Sequence, residues 1–176
     1  LEIGLQNQSN IGLVEFKVYQ TKIEDAFSYI DPKSNWDGYY VNDGTTDISG
    51  AELSLETVLL GMDITTKIDY NKSIDKATKK QKGRRPNRSI SLNLSKTSGK
   101  WKRSINWIAK SRAWDKNSET TKLGGYGLLN LSTSYDFTED LTVYLNRNNA
   151  LDKDYEMARG YNTHGKTTTL GLTYNF

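Results

Sequence analysis

The stretch TLGLTYNF, residues 169–176, alternates strictly and ends on a ring. Leu170, Leu172, Tyr174 and Phe176 fall on one side, and Thr169, Gly171, Thr173 and Asn175 on the other. A period of two residues is a strand whose faces meet unlike surroundings. Soluble domains tend to fray into polar residues at their ends. An apolar stripe that runs through to an aromatic residue asks for a different setting.

The same alternation recurs upstream. Leu1, Ile3 and Leu5 form one apolar set, and Val14, Phe16 and Val18 the next, with Glu15, Lys17 and Tyr19 opposite. Ala51, Leu53 and Leu55 oppose Gly50, Glu52 and Ser54; Ile64, Ile68 and Tyr70 oppose Asp63, Lys67 and Asp69. Ile90, Leu92 and Leu94 follow, then Trp101, Ile105, Trp107 and Ala109, then Leu129, Leu131 and Tyr135, then Leu141, Val143 and Leu145. With the closing stretch this predicts about nine strands and no helix.

The connections sort into two kinds. Those near 7–10, 59–61, 96–99 and 136–140 are tight, and those near 26–44, 71–87, 113–123 and 149–165 are long and polar. Short and long links alternate, so every long loop falls at one end of the sheet. That is the plan of an outer-membrane barrel, with short inner turns, long outer loops and an apolar outward face. Trp101, Tyr135, Tyr174 and Phe176 fall at the short-turn ends, where an aromatic girdle belongs. The expected fold is therefore an all-β, antiparallel transmembrane barrel. The alternative is a soluble antiparallel β-domain that packs its apolar face inward.

Composition removes other classes. The chain has 176 residues, of which 35% are apolar, no Cys and a single His, His164. Mean hydropathy is −0.71, and no apolar run is long enough for a membrane helix. Without Cys there is no disulfide, thiolate metal site or cysteine nucleophile. A net charge of +3 does not argue for nucleic acid as a partner. No catalytic signature or phosphate-binding loop is present, and no cofactor is implied. Residue 1 is Leu and no signal peptide precedes it, so a mature piece or a fragment is expected. An odd number of strands points the same way, because bacterial barrels have even counts.

Residues 120–176 carry a more specific likeness. The corner Asn149-Ala150-Leu151-Asp152-Lys153-Asp154-Tyr155, the loop Gly160-Tyr161-Asn162-Thr163-His164-Gly165-Lys166 and the terminal aromatic strand resemble the last strands of TonB-dependent outer-membrane receptors. Upstream, GRRPNRSISLNLS and ISGAELSLE are similar to that family's strand entries. Within the family, LDKDYE, GYNTHGK, LGLTYNF and YYVNDGTTDISGAE are most similar to vitamin B12 (cobalamin) receptors. Lys166 stands where Arg is usual, Leu151 where Phe is usual, and Arg147 on the lipid side where an apolar residue is common. Near the outer interface an Arg can snorkel to lipid phosphates.

The resemblance implies the C-terminal nine or so strands of a larger barrel of about 22 strands, with the plug domain and N-terminal strands absent. It implies residence in the bacterial outer membrane and uptake of cobalamin or a related corrinoid, without catalysis. A siderophore or haem is the alternative cargo. It also implies outer loops that capture the ligand, a TonB complex acting through the plug, and assembly machinery that reads Thr169, Gly171, Tyr174 and Phe176.

Candidate sites are weighed against plainer readings. Lys79, Lys80, Lys82, Arg84, Arg85 and Arg88 crowd one loop. They form either an exposed loop beside anionic lipopolysaccharide or, with Arg84, a ligand contact, as the resemblance implies. In the next loop Trp114 is the implied aromatic contact, or else a member of the interfacial belt. Phe27, Tyr29, Trp36, Tyr39 and Tyr40 make a binding surface or simply pack a long loop. Asp152, Asp154 and Glu156 fit strand-end turns better than a calcium loop, whose Gly and final Glu are missing. His164 is expected to be an exposed loop residue.

Overall fold

The computed structural model describes residues 1–30 and 37–176. Trp36 lies outside the described residues. The strands are β1 (Glu2–Ser9), β2 (Gly12–Ile30), β3 (Tyr39–Leu59), β4 (Met62–Asp75), β5 (Arg88–Ser98), β6 (Trp101–Lys110), β7 (Ala113–Trp114), β8 (Lys122–Leu123), β9 (Tyr126–Asp136), β10 (Leu141–Asn148) and β11 (Thr167–Tyr174). Nine of them form one sheet in the order β1-β2-β3-β4-β5-β6-β9-β10-β11, while β7 and β8 pair apart as a small hairpin. Every pairing is antiparallel. The sheet is open, with β1 and β11 at its two edges.

The registers turn the sequence alternation into two continuous faces. On one, Leu5 stands opposite Phe16, Phe16 opposite Leu53 and Leu53 opposite Ile68. The row continues through Ile90, Ala109 and Gly127. Leu131, Arg147 and Thr168 carry the same face across the last strands. The other face is a polar ladder. Lys67 Nζ lies 3.3 Å from Glu52 and 3.5 Å from Asp69. Ser89 donates to Asp69, Asn71 to the Tyr19 hydroxyl, and Asn130 to Asn106, at 2.9, 2.9 and 3.1 Å.

Burial shows which face looks inward. Among the described residues Leu123, in the loop hairpin, is the only buried apolar side chain. Phe16, Leu53, Ile68, Ile105, Leu145, Leu170 and Leu172 are all exposed. A soluble sandwich would close that surface around a core. Here the apolar face points out and forms the lipid-facing band, and the polar ladder lines the interior. At its lower rim the rings cluster. Trp101 meets Tyr135 at 4.8 Å, Tyr135 meets Phe137 at 4.8 Å and Tyr174 meets Phe176 at 5.1 Å. Arg103 lies 5.1 Å over the Trp101 ring. Arg147 is on the outward face as expected, where its guanidinium donates to the Thr168 hydroxyl.

Two interior glycines are shaped by tyrosines. Gly50 is paired with Tyr19, and Gly171 with Tyr144. A Cβ on either glycine would run into the facing tyrosine ring.

The long links differ from the sequence expectation. The segment near 26–44 is mostly strand: β2 and β3 rise as a two-stranded arm, paired as far as Ile30 and Tyr39. Register shifts around Ala26 and a left-handed Asp25 (φ 53°) break the alternation that reveals strands in a sequence. Strand β4 likewise continues past Tyr70 to Asp75. Above the membrane neither face needs to be apolar, so the period fades while the pairing persists.

Candidate functional site

Three long loops meet above β4–β11: residues 76–87, 111–125 and 149–166. Asp115 is their junction. Its side chain is 4% exposed, and Oδ1 accepts from Arg84 Nε at 2.9 Å and from the Arg159 amide at 3.1 Å. One carboxylate oxygen therefore ties all three loops together. The Arg159 amide first, and then the Arg84 guanidinium, hold the Asp115 carboxyl below its ordinary range.

Further bonds lace the first loop to the second. The Gly83 amide donates to Asn117 Oδ1 at 2.7 Å, and the Gln81 amide to Glu119 Oε1 at 2.6 Å. Lys80 Nζ reaches the Ser118 carbonyl at 3.1 Å. The Arg84 amide donates to the Trp114 carbonyl at 2.5 Å while Arg84 holds a left-handed backbone, φ 58°. Such a conformation costs a non-glycine residue about 1 kcal/mol or more, and it persists only where neighbours impose it. Gly83 packs so closely on the second loop that a Cβ would lie 2.7 Å from the Asp115 carbonyl oxygen.

The first loop is also tied to its own strand. Lys82 Nζ lies 2.7 Å from Asp75, whose other oxygen accepts from the Thr78 amide at 2.9 Å. Lys82, then Thr78, bring the Asp75 carboxyl down to about 2. Arg85 donates to the fully buried Ser73 hydroxyl at 3.1 Å.

The third loop is built from turn chemistry. Asn149 is left-handed (φ 48°), which suits Asn. Its amide donates to Asn130, and its side chain exchanges two 2.9 Å bonds with Lys153. Asp152 takes the Lys166 amide at 2.8 Å and its ammonium at 2.9 Å, and these, in that order, lower its carboxyl. Asp152 thus serves the corner, while Glu156 lies 3.8 Å from the Arg159 guanidinium. Among the described residues, no group of three or more His, Asp or Glu is placed to hold a metal. His164 is exposed.

The structure brings Arg84 and Trp114 together through the main chain but sends their side chains apart. Arg84 borders a cavity of about 90 Å³ with Leu123, Tyr126, Glu156 and Met157. Its Nε is bound to Asp115, and among the described residues no bond is made by its two terminal nitrogens. Trp114 lines a separate groove of about 360 Å³, with Lys122 4.8 Å over its ring. Phe27 and Tyr40 are exposed on the β2–β3 arm, where Tyr29 and Tyr40 touch at 5.2 Å. Thr169, Gly171 and Tyr174 lie on β11, paired with Asn146, Tyr144 and Leu141 of β10, and Phe176 lies just beyond the strand. Sequence reasoning missed Asp115 and Gln81. Both act across gaps of more than thirty residues, and no local pattern marks them.

The family described as TonB dependent receptor-like, beta-barrel matches residues 1–150. The vitamin B12 transporter BtuB of Photobacterium profundum is 29% identical over 165 residues, which cover 90% of this chain and 27% of that protein. The copper transporter OprC superposes with a TM-score of 0.80 at 18% identity, over 99% of this chain and 30% of its own. The siderophore receptor PiuA from Acinetobacter baumannii does so with a TM-score of 0.71 at 18% identity, over 98% and 28%. The chain thus spans less than a third of the length of these relatives, and the two structural likenesses speak for the fold alone.

Proposed function

Because the chain belongs to the TonB-dependent receptor β-barrel family of the outer membrane, we propose that its receptor takes up cobalamin or a related corrinoid. These residues supply barrel wall and outer loops. The observation that carries this reading is the likeness to a vitamin B12 transporter over 90% of the chain. The role is transport and not catalysis. In the whole receptor a plug, energised by the TonB complex, releases the ligand inward.

Arg84 is the proposed ligand contact. Asp115 fixes its Nε and leaves the outer edge of the guanidinium for the amides and phosphate of a corrinoid. Trp114 serves the same ligand by holding the Arg84 amide on its carbonyl. A ferric siderophore or haem is the alternative cargo. Equilibrium binding of cyanocobalamin, a ferric siderophore and haem to the intact receptor in detergent tests the reading. Cyanocobalamin is expected to bind and to weaken on Arg84→Ala. No cyanocobalamin binding, with tight binding of a ferric chelate or haem, overturns it.

We also propose that Thr169, Gly171, Tyr174 and Phe176 are read by the outer-membrane assembly machinery. Deleting Phe176 from the full-length receptor is then expected to lower its membrane level more than the affinity of the receptor that does assemble. Unchanged assembly overturns this.

A further inference from the structure

The cavity that Arg84 borders opens on the inner side of the wall. Lys110 and Tyr126, both in its lining, stand opposite one another on β6 and β9. Lys110 is also opposite Ser89, which bonds Asp69 of the polar ladder. All four share the register that lines the interior, at its upper end, where the three loops meet. The apolar part of the wall is Leu123, buried, and Met157, which is 58% exposed at the rim. Tyr126 is backed by Tyr155, ring to ring at 4.5 Å.

Beside these walls stand a donor and an acceptor with capacity to spare. Arg84 gives its Nε to Asp115, and among the described residues its two terminal nitrogens make no bond. Glu156 Oε1 lies 3.4 Å from the Gly160 amide, and Oε2 lies 3.8 Å from the Arg159 guanidinium. Both contacts are long for hydrogen bonds, so the carboxylate keeps its strength as an acceptor. The cavity of about 90 Å³ equals the share of about three waters in the liquid. It admits the end of one side arm and excludes a macrocycle or an iron chelate.

We propose that this cavity binds the end of one primary-amide arm of the corrinoid, and that Glu156 refuses a carboxylic acid in its place. The proposal rests on the corrinoid reading of the receptor and adds the group that is read. A primary amide offers a carbonyl acceptor and an NH2 donor. Arg84 donates to the carbonyl, Glu156 accepts from the NH2, and the arm's methylene lies against Leu123 and Met157. A carboxylate of the same shape has acceptors only, so it meets Arg84 but sets a like charge against Glu156. Asp115 already offsets Arg84, which gives an incoming anion little in return. Lys110 in the lining and Arg159 beside Glu156 temper the repulsion, so the discrimination is about tenfold and not the several-hundredfold of an unscreened pair. Corrinoids carry primary amides around their rim, whereas haem presents carboxylates.

The test measures equilibrium binding to the full-length receptor in detergent. The probes are cyanocobalamin and its monocarboxylic acids, each with a single amide arm hydrolysed. In the wild type one of these acids is expected to bind about tenfold more weakly than cyanocobalamin. Glu156→Gln keeps the shape and removes the charge. It should weaken cyanocobalamin a few-fold and close the gap to that acid to less than about threefold. Met157→Lys, at the exposed rim, sets a cation beside the arm and should narrow the same gap, which keeps the test open if Glu156→Gln does not assemble. Heat-modifiable gel migration reports assembly of each variant. Cyanocobalamin bound with every acid bound equally well, or a tenfold gap that survives Glu156→Gln or Met157→Lys, overturns the proposal and leaves the corrinoid reading standing. No binding of cyanocobalamin to the wild type overturns the corrinoid reading itself.

Discussion

The loop layer over β4–β11 and the β2–β3 arm both stand above the membrane, and they are held in opposite ways. The layer is tied across sequence: Asp115 joins the three loops, and Gly83, Gln81 and Lys80 add bonds of their own. Among the described residues the arm is tied along itself by ladder pairing, by Tyr29 against Tyr40 and by the Gly38 amide on the Tyr29 hydroxyl, and at its base to the first loop by the Lys76 amide on the Thr45 carbonyl. An isolated two-stranded ribbon is marginal in water. The layer therefore presents Arg84 already in place, whereas the described part of the arm rests mainly on its own ladder. Pre-ordering of this kind raises affinity without adding contacts.

Asp115→Ala should break this contrast most severely. It frees Arg84 and leaves the Arg159 amide without its acceptor, so corrinoid affinity should fall on the order of a hundredfold. Limited proteolysis should then cut within residues 76–87 as readily as in the arm, while heat-modifiable migration, a property of the strands, stays unchanged. An unaltered cutting pattern would mean that the loops are held by something else. Gly83→Ala comes next. Its Cβ meets main-chain atoms of Asp115 and Lys116 at 2.7–2.9 Å, an overpacking that should lower affinity about tenfold.

Acid gives a smaller effect. The Asp75 carboxyl titrates at about 2 in the folded loop against an ordinary value of 3.8. A depressed folded value means that the hold is complete above about pH 4 and is lost as pH falls through about 2. The difference is on the order of 2 kcal/mol. Pepsin nicking of residues 76–87 should therefore rise between those limits more than nicking of the arm. A flat profile would remove Asp75 from the account. Tyr40→Ala should do least. It removes an exposed ring with one aromatic neighbour, and affinity should change less than about threefold. A loss matching that of Asp115→Ala would show the arm to be as pre-ordered as the layer.

The wall was legible because lipid and water on its two sides force a period of two, from Phe16 and Lys17 to Leu172 and Thr173. The short links and the lower aromatic girdle followed from the same constraint. Height was not legible. Around Asp25 the register shifts, and above the membrane the surroundings of the two faces converge, so the upper parts of β2 and β3, near 26–44, read as loop. The two-residue strands β7 and β8 are too short to show any period. Arg84 was visible as part of a basic cluster. Its anchor was not, because a single Asp in a polar loop looks the same whether it faces water or joins three loops.

The pairs Tyr19–Gly50 and Tyr144–Gly171 bear on how the sheet finds its alignment. A strand that slips by one residue exchanges its faces, and one that slips by two keeps its faces but loses its partners. Alternation of apolar and polar residues guards against the first error and is blind to the second. Each tyrosine lies over the one cross-strand position that lacks a Cβ. Slipping by two would set Tyr19 opposite Ile48 or Glu52, and Tyr144 opposite Thr169 or Thr173. The two rungs thus act as keyed joints that detect the error the lipid cannot, and one of them fixes the strand that leads to Phe176.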